Sequence, residues 1–143
     1  MANQNVASDM KAIEVGGIEV GANNPLPVTP SADNEKTIAV VINGQSTDEI
    51  DVRGYRIAAI EMPAAWDAAP LAFTATTIAG GTHTPVVESG IEVYEPAAAS
   101  QTITIASNAL ALDGLKFIKI WSGKFGTRVN QTAARTLNVT LKR

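Results

Sequence analysis

The chain has 143 residues, a net charge of −3, and 45% apolar but only 5% aromatic residues, which suits one domain with an extension. The absence of cysteine excludes disulfide staples and thiolate metal sites. The start, MANQNVASDMK, lacks the order of a secretory leader, and no run approaches ~18 apolar residues, so the expectation is a cytoplasmic protein that does not span a membrane.

Residues 1–36 differ from the rest. They hold two near-copies of one tetrapeptide, Ile13-Glu14-Val15-Gly16 and Ile18-Glu19-Val20-Gly21. Alternating Ile/Val and Glu suits short extended segments. Pro25, Pro27 and Pro30 then disfavour a helix and favour irregular or polyproline extension. The stretch is too poor in large apolar residues to form its own core. It reads as an arm that orders on a partner, with Ile13, Val15, Ile18, Val20, Pro25 and Pro27 as its candidate contacts.

Residues 37–143 read as the folded domain. Residues 37–42 (TIAVVI) form an apolar run closed by Asn43-Gly44, a strong hairpin signal that predicts residues 46–52 pairing back across it. Residues 55–62 alternate, placing Tyr55, Ile57, Ala59 and Glu61 on one face. In residues 71–77, Leu71, Phe73 and Ala75 point inward and Ala72, Thr74 and Thr76 outward. Gly80-Gly81 marks a turn. Shorter strands follow at 86–87, 91–94 and 101–105. Residues 115–122 set Leu115, Phe117, Lys119 and Trp121 against Lys116, Ile118, Ile120 and Ser122. A last strand covers 135–142. Residues 64–69 and 106–112 each have room for one helical turn. About eight strands at this spacing predict an all-β sandwich or barrel.

The charges are unevenly placed. Residues 1–113 contain four basic and fourteen acidic residues, a net of −10, whereas residues 114–143 carry seven basic residues and no acid. The two blocks either pair within the fold or meet a partner.

Chemistry-bearing motifs are few. His83 is the one histidine and stands in a loop, where a solvated surface role is expected. Asp48-Glu49-Ile50-Asp51 clusters carboxylates without the spacing of a calcium loop. No phosphate loop, nucleophile elbow or dinucleotide fingerprint occurs. The expectation is therefore no enzyme, no cofactor and no metal. The loop of Lys124, Phe125 and Arg128 interleaves cations with an aromatic ring. It is too small to hold nucleic acid but fits an acidic patch on a protein. Met62 and Trp66, in the corner Met62-Pro63-Ala64-Ala65-Trp66, have two readings: a core plug or an interface anchor.

Two motifs carry a resemblance. The strand, MPAAW corner, strand and Gly-Gly turn are similar to jelly-roll domains of the galactose-binding or discoidin type. Together with Ser122-Gly123 and Val129-Asn130-Gln131 to Arg135, the corner resembles small proteins encoded beside the head genes of tailed bacteriophages. The similarity covers about a third of the chain and is strongest to the jelly-roll capsid cement protein of short-tailed Bordetella-type phages. It implies a jelly-roll β-sandwich of about eight antiparallel strands with an extended N-terminal arm. It implies a structural virion protein on the capsid surface, assembled in the host cytoplasm, whose partner is the major capsid protein and which forms a homodimer or homotrimer. Its arm and basic loops would clamp adjacent coat subunits. It brings no catalytic residue. A carbohydrate-binding jelly-roll module and a neck or tail-completion protein are the alternatives.

Overall fold

The computed structural model describes residues 34–106 and 108–143. Eleven strands are present among them: β1 (Glu35–Ile42), β2 (Ile50–Asp51), β3 (Arg56–Glu61), β4 (Leu71–Thr76), β5 (Thr84–Pro85), β6 (Val87–Glu88), β7 (Ile91–Glu92), β8 (Tyr94–Glu95), β9 (Thr102–Thr104), β10 (Phe117–Ser122) and β11 (Arg135–Lys142). One sheet runs β1-β11-β3-β9. The other runs β2-β10-β4-β5, with β8 also pairing β4, and β6-β7 form a separate ribbon. Every pairing is antiparallel.

A single apolar core joins the sheets. Ile42, Ile57, Ile60, Ile103, Leu137, Val139 and Leu141 from the first meet Ile50, Leu71, Phe73, Ile118 and Ile120 from the second. Strands β1 to β4 alternate between the two layers, as do β9 to β11, and β10 and β11 insert beside β2 and β1. That winding packs antiparallel sheets about one core and is consistent with a jelly-roll sandwich. The all-β expectation therefore holds.

Four local expectations do not. Asn43-Gly44 does not make a hairpin. Gly44 has φ 79° and Asn43 bridges Ser46, but β1 pairs β11 along its whole length. The turn instead hands the chain to the other sheet, where Ser46 bridges Trp121 and β2 pairs β10. Turn chemistry sets the local reversal, while the apolar faces choose the partner.

Strict alternation also fails in β3. The register with β11 shifts between Thr140 and Leu141, so that Leu141 faces Ile57 and Thr140 faces Ala59. Ala58 is the extra residue of a β-bulge, which turns both Ile57 and Ile60 into the core. In β4, finally, Ala72 and Thr74 are buried as well as Leu71 and Phe73. Side chains of β10 and the following loops cover the outer face of that central strand. Neither expected helical turn becomes a helix. Residues 64–69 form bends, and residues 108–114 are turns.

Candidate functional site

The antiparallel winding gathers the loops at two ends. One end collects the long connections at 43–49, 62–70, 96–101 and 123–134. The other holds Asn34 at the start of β1, Arg143 after β11, and the 52–55 turn.

At the first end the two sequence motifs meet. The Gln131 side chain, 5% exposed, accepts the Asp67 N–H at 2.8 Å. Its amide donates to the Asp67 carbonyl and to Ser122 Oγ, both at 2.9 Å. The Asp67 carboxylate accepts the Thr132 N–H at 2.6 Å and meets Arg135 at 3.4 Å. Gly123 N–H reaches the Pro70 carbonyl, and Gln131 N–H reaches that of Gly44. The corner and the tail thus form one latch. Hydrogen bonds from Thr132 hold the Asp67 carboxyl below its ordinary pKa, with Arg135 adding to the effect.

Met62 and Trp66 are 4% and 8% exposed, and the Trp66 indole donates to the Ala69 carbonyl at 3.0 Å. Both pack in the core, so the interface-anchor reading gives way to the plug reading. An interface anchor needs its ring in solvent, and this ring fills the sandwich under the corner.

Lys124, Phe125 and Arg128 do come together. The 123–128 loop turns tightly after β10, with Thr127 N–H bonded to the Lys124 carbonyl and Val129 N–H to that of Ser122. Gly123 sits at φ 93°, and a Cβ there would stand 2.6 Å from the Thr127 carbonyl oxygen. Glycine is therefore required. Arg128 stacks between Trp121 at 4.3 Å and Phe125 at 5.7 Å, donates to the Gly123 carbonyl, and lies 3.9 Å from Glu92. Burial pulls its pKa below the ordinary arginine value, and Glu92 opposes that. The Glu92 carboxylate also accepts the Phe125 N–H at 3.0 and 2.9 Å. Lys124 covers Tyr94 at 4.4 Å. The outcome is a Phe125 ring that is 68% exposed on a loop tied to Trp121, Glu92 and Tyr94. Tyr94, Val87 and Ile91 are exposed on the adjoining β6–β8 stretch.

His83 is not a solvated loop residue. Its side chain is 9% exposed, with Nε2 at 2.7 Å from Glu49 and Nδ1 at 3.4 Å from Thr74 Oγ1. Carboxylate, imidazole and hydroxyl follow the order of a nucleophilic triad. Thr74, however, is 3% exposed, and its hydroxyl accepts the Trp121 indole N–H at 2.9 Å. The triplet is a staple between the 80–83 turn and the second sheet. The His83 hydrogen bond, followed by that from Gly80, lowers the Glu49 pKa. Of the acidic cluster at 48–51, Glu49 is thus committed to His83, and Asp51 is bound bidentately by Arg53. No cluster of three potential metal ligands exists among the described residues. No helix of the described residues is long and apolar enough to cross a membrane.

The feature that sequence reasoning missed lies at the other end. Lys36 and Arg143 pack against the Tyr55 ring, 4.5 and 4.6 Å from its centroid. Arg53 covers Phe117 at 4.9 Å. Depressions beside Tyr55 are lined by Lys36, Asp51 and Arg53 on one side and by Arg56, Asp113, Lys142 and Arg143 on the other. The signal was present as Arg53-Gly54-Tyr55-Arg56 and the closing Lys142-Arg143, but only the fold unites them. The charge blocks also resolve in part: Arg128, Arg135 and Lys142 each pair with an upstream acid inside the subunit. Ile13, Val15, Ile18, Val20, Pro25 and Pro27 lie outside the described residues.

The chain matches no protein-family model, no curated protein and no solved structure.

Proposed function

We propose that this chain is a structural virion protein that binds the outside of a phage capsid and cements neighbouring major capsid protein subunits. The observation that carries the reading is the exposed Phe125 ring, held on a loop fixed by Arg128, Glu92 and Tyr94. Phe125 adjoins the exposed Tyr94, Val87 and Ile91, so the loop presents an apolar patch and not a lone ring. Fixed in place, it loses little entropy on docking, as interface hot spots require. The corner and tail motifs that carry the phage resemblance build the end that displays this loop. Repeated over many copies, a modest contact of this kind adds up to a stable shell.

The test is co-sedimentation of the purified protein with expanded, undecorated phage shells. Saturation at hundreds of copies per shell is expected, and Phe125→Ala lowers the affinity at least tenfold, about 1.4 kcal/mol. Binding of only a few copies transfers the reading to a neck or tail-completion protein. No binding overturns it.

The exposed rings of Phe125 and Tyr94 also favour a second reading, a carbohydrate-binding module, because sugars stack on such rings. A threonine-rich groove near the end of β4 is lined by Thr76, Thr77, Thr82, Thr84 and Lys116, but its lining includes no aromatic ring. A glycan array with hits abolished by Phe125→Ala would favour the second reading over the first.

A further inference from the structure

Three depressions join into one groove across the end that holds the start of β1. The first, of about 550 Å³, lies beside Lys36, Arg53 and Tyr55. The second, of about 250 Å³, shares Gly54 and Tyr55 with it and adds Arg56, Lys142 and Arg143. The third, of about 560 Å³, meets the second at Gly114 and follows the end of β4 to Thr84 and Val87. The fold sets them in line. Thr76 at the end of β4 faces Phe117 at the start of β10, and the Val52 N–H bonds to the Lys116 carbonyl. The threonine-rich part therefore abuts the 52–55 turn.

The two halves of the groove differ in chemistry. The first two depressions hold Lys36, Arg53, Arg56, Lys142 and Arg143 against Asp51 and Asp113. Asp51 is already bound by Arg53, and Lys142 is paired with Glu35. That leaves Lys36, Arg56 and Arg143 with no carboxylate in ion-pair contact among the described residues. The third depression is lined by Ala75, Ala111 and Leu115 and by the exposed Thr77, Thr82 and Thr84.

We infer that this groove receives an extended acidic segment of a protein partner, with carboxylates against the cations and small apolar side chains in the threonine half. A guanidinium stacked on a ring, as Arg143 is on Tyr55, keeps its N–H edge for a carboxylate. Hydroxyls beside an apolar lining suit a peptide backbone and small side chains. Sugars and bases stack on open rings. At this end cations cover the rings: Lys36 and Arg143 lie on Tyr55, and Arg53 lies on Phe117. The net charge of −3 also opposes a long polyanion such as nucleic acid. Charge and lining thus select the same occupant. The groove lies at the end away from Phe125, so the inference is tested without shells and stands apart from the cement reading.

The probe is an end-blocked, fluorescent octapeptide of four glutamates followed by Val-Ala-Val-Ala. It is titrated with the full-length chain and followed by anisotropy. At roughly 0.05 M salt it should bind one per chain with a Kd below about 100 μM. Lysines in place of the four glutamates should weaken binding about tenfold or more. Arg56→Glu, which reverses an unpaired cation, and Thr77→Trp, which fills the other half, should each do the same. Arg56 is half-buried and Thr77 exposed, so neither change disturbs the core. Urea midpoints show that the variants fold, and Arg56→Ala replaces Arg56→Glu if that variant does not. No saturable binding up to about 1 mM overturns the inference. So does wild-type affinity in both variants. Octaglutamate or an eight-nucleotide thymidine strand that binds as tightly as the mixed peptide also overturns it, because the end would then be a general anion patch.

Discussion

The two ends of the sandwich are held by different forces. At the corner end, the buried Gln131 amide bonds to the backbone of Asp67 and the buried Trp66 indole to the nearby Ala69 carbonyl, while the half-buried Asp67 carboxylate accepts the Thr132 N–H. At the end where β1 begins, the contacts are between cations and rings or between exposed ions: Lys36 and Arg143 on Tyr55, Arg53 on Asp51, Lys142 on Glu35. Buried hydrogen bonds are costly to break, because a lone polar group cannot recover water. Exposed charges recover water at once, and salt screens them. The first end is therefore built to hold a loop in one shape. The second leaves its charges within reach of solvent.

Breaking the corner gives the largest effects. Trp66→Ala should cost about 3–5 kcal/mol in urea unfolding, because a buried indole leaves a cavity under the loops. Gln131→Leu should cost about 2–4 kcal/mol, since the Asp67 N–H and carbonyl and the Ser122 hydroxyl all lose a buried partner. Gly123→Ala follows at about 2–3 kcal/mol, because positive φ and the Thr127 carbonyl leave no room for a methyl group. If any of the three unfolds at the wild-type midpoint, the corner is not the rigid end.

The body was readable where one physical rule acted alone. Leu71, Phe73, Ile118 and Ile120 alternate in sequence and all lie in the core, as the two-residue period of a strand requires. The rule failed where a distant segment intervened. The Ala58 bulge answers to its register with β11, more than eighty residues later, and no local signal marks it. Asn43-Gly44 makes the turn it predicts but does not choose the strand that follows. His83 looked solvated because Glu49, its partner, arrives from 34 positions upstream. The candidate loop was legible, since Lys124, Phe125 and Arg128 are neighbours in sequence. The Tyr55 cluster was not, since its cations come from both ends of the domain.

The β1 end sharpens the comparison with a smaller effect. Tyr55→Leu keeps the apolar contact and removes the ring under Lys36 and Arg143. It should cost about 1–2 kcal/mol at low salt. Raising salt from roughly 0.05 to 0.5 M should shrink that difference, as the shorter Debye length weakens the exposed charges. The Gln131→Leu penalty should not change with salt. A salt-independent Tyr55→Leu penalty would mean that the cations are only packing material.

Acid separates the ends by the smallest margin. Arg53 holds the Asp51 pKa down at about 2, first through its side-chain hydrogen bond and then through its backbone N–H. The pKa of Asp67 is lowered chiefly by Thr132. A carboxylate with a depressed pKa stabilises the fold above its unfolded value and loses that contribution as pH falls through the folded value. Stability should therefore hold down to about pH 4, the ordinary carboxylate value, and decline toward pH 2. The Asp51 side chain is 51% exposed, so Asp51→Asn should change stability at neutral pH by only about 0.5 kcal/mol or less. Asp67→Asn should remove more of the acid limb, because that carboxylate also binds the Thr132 N–H and lies within reach of Arg135. Urea midpoints measured from pH 6 to pH 2.5 give both slopes. If Asp51→Asn flattened the limb as much as Asp67→Asn, the two ends would share one kind of electrostatics, and the division between them would fail.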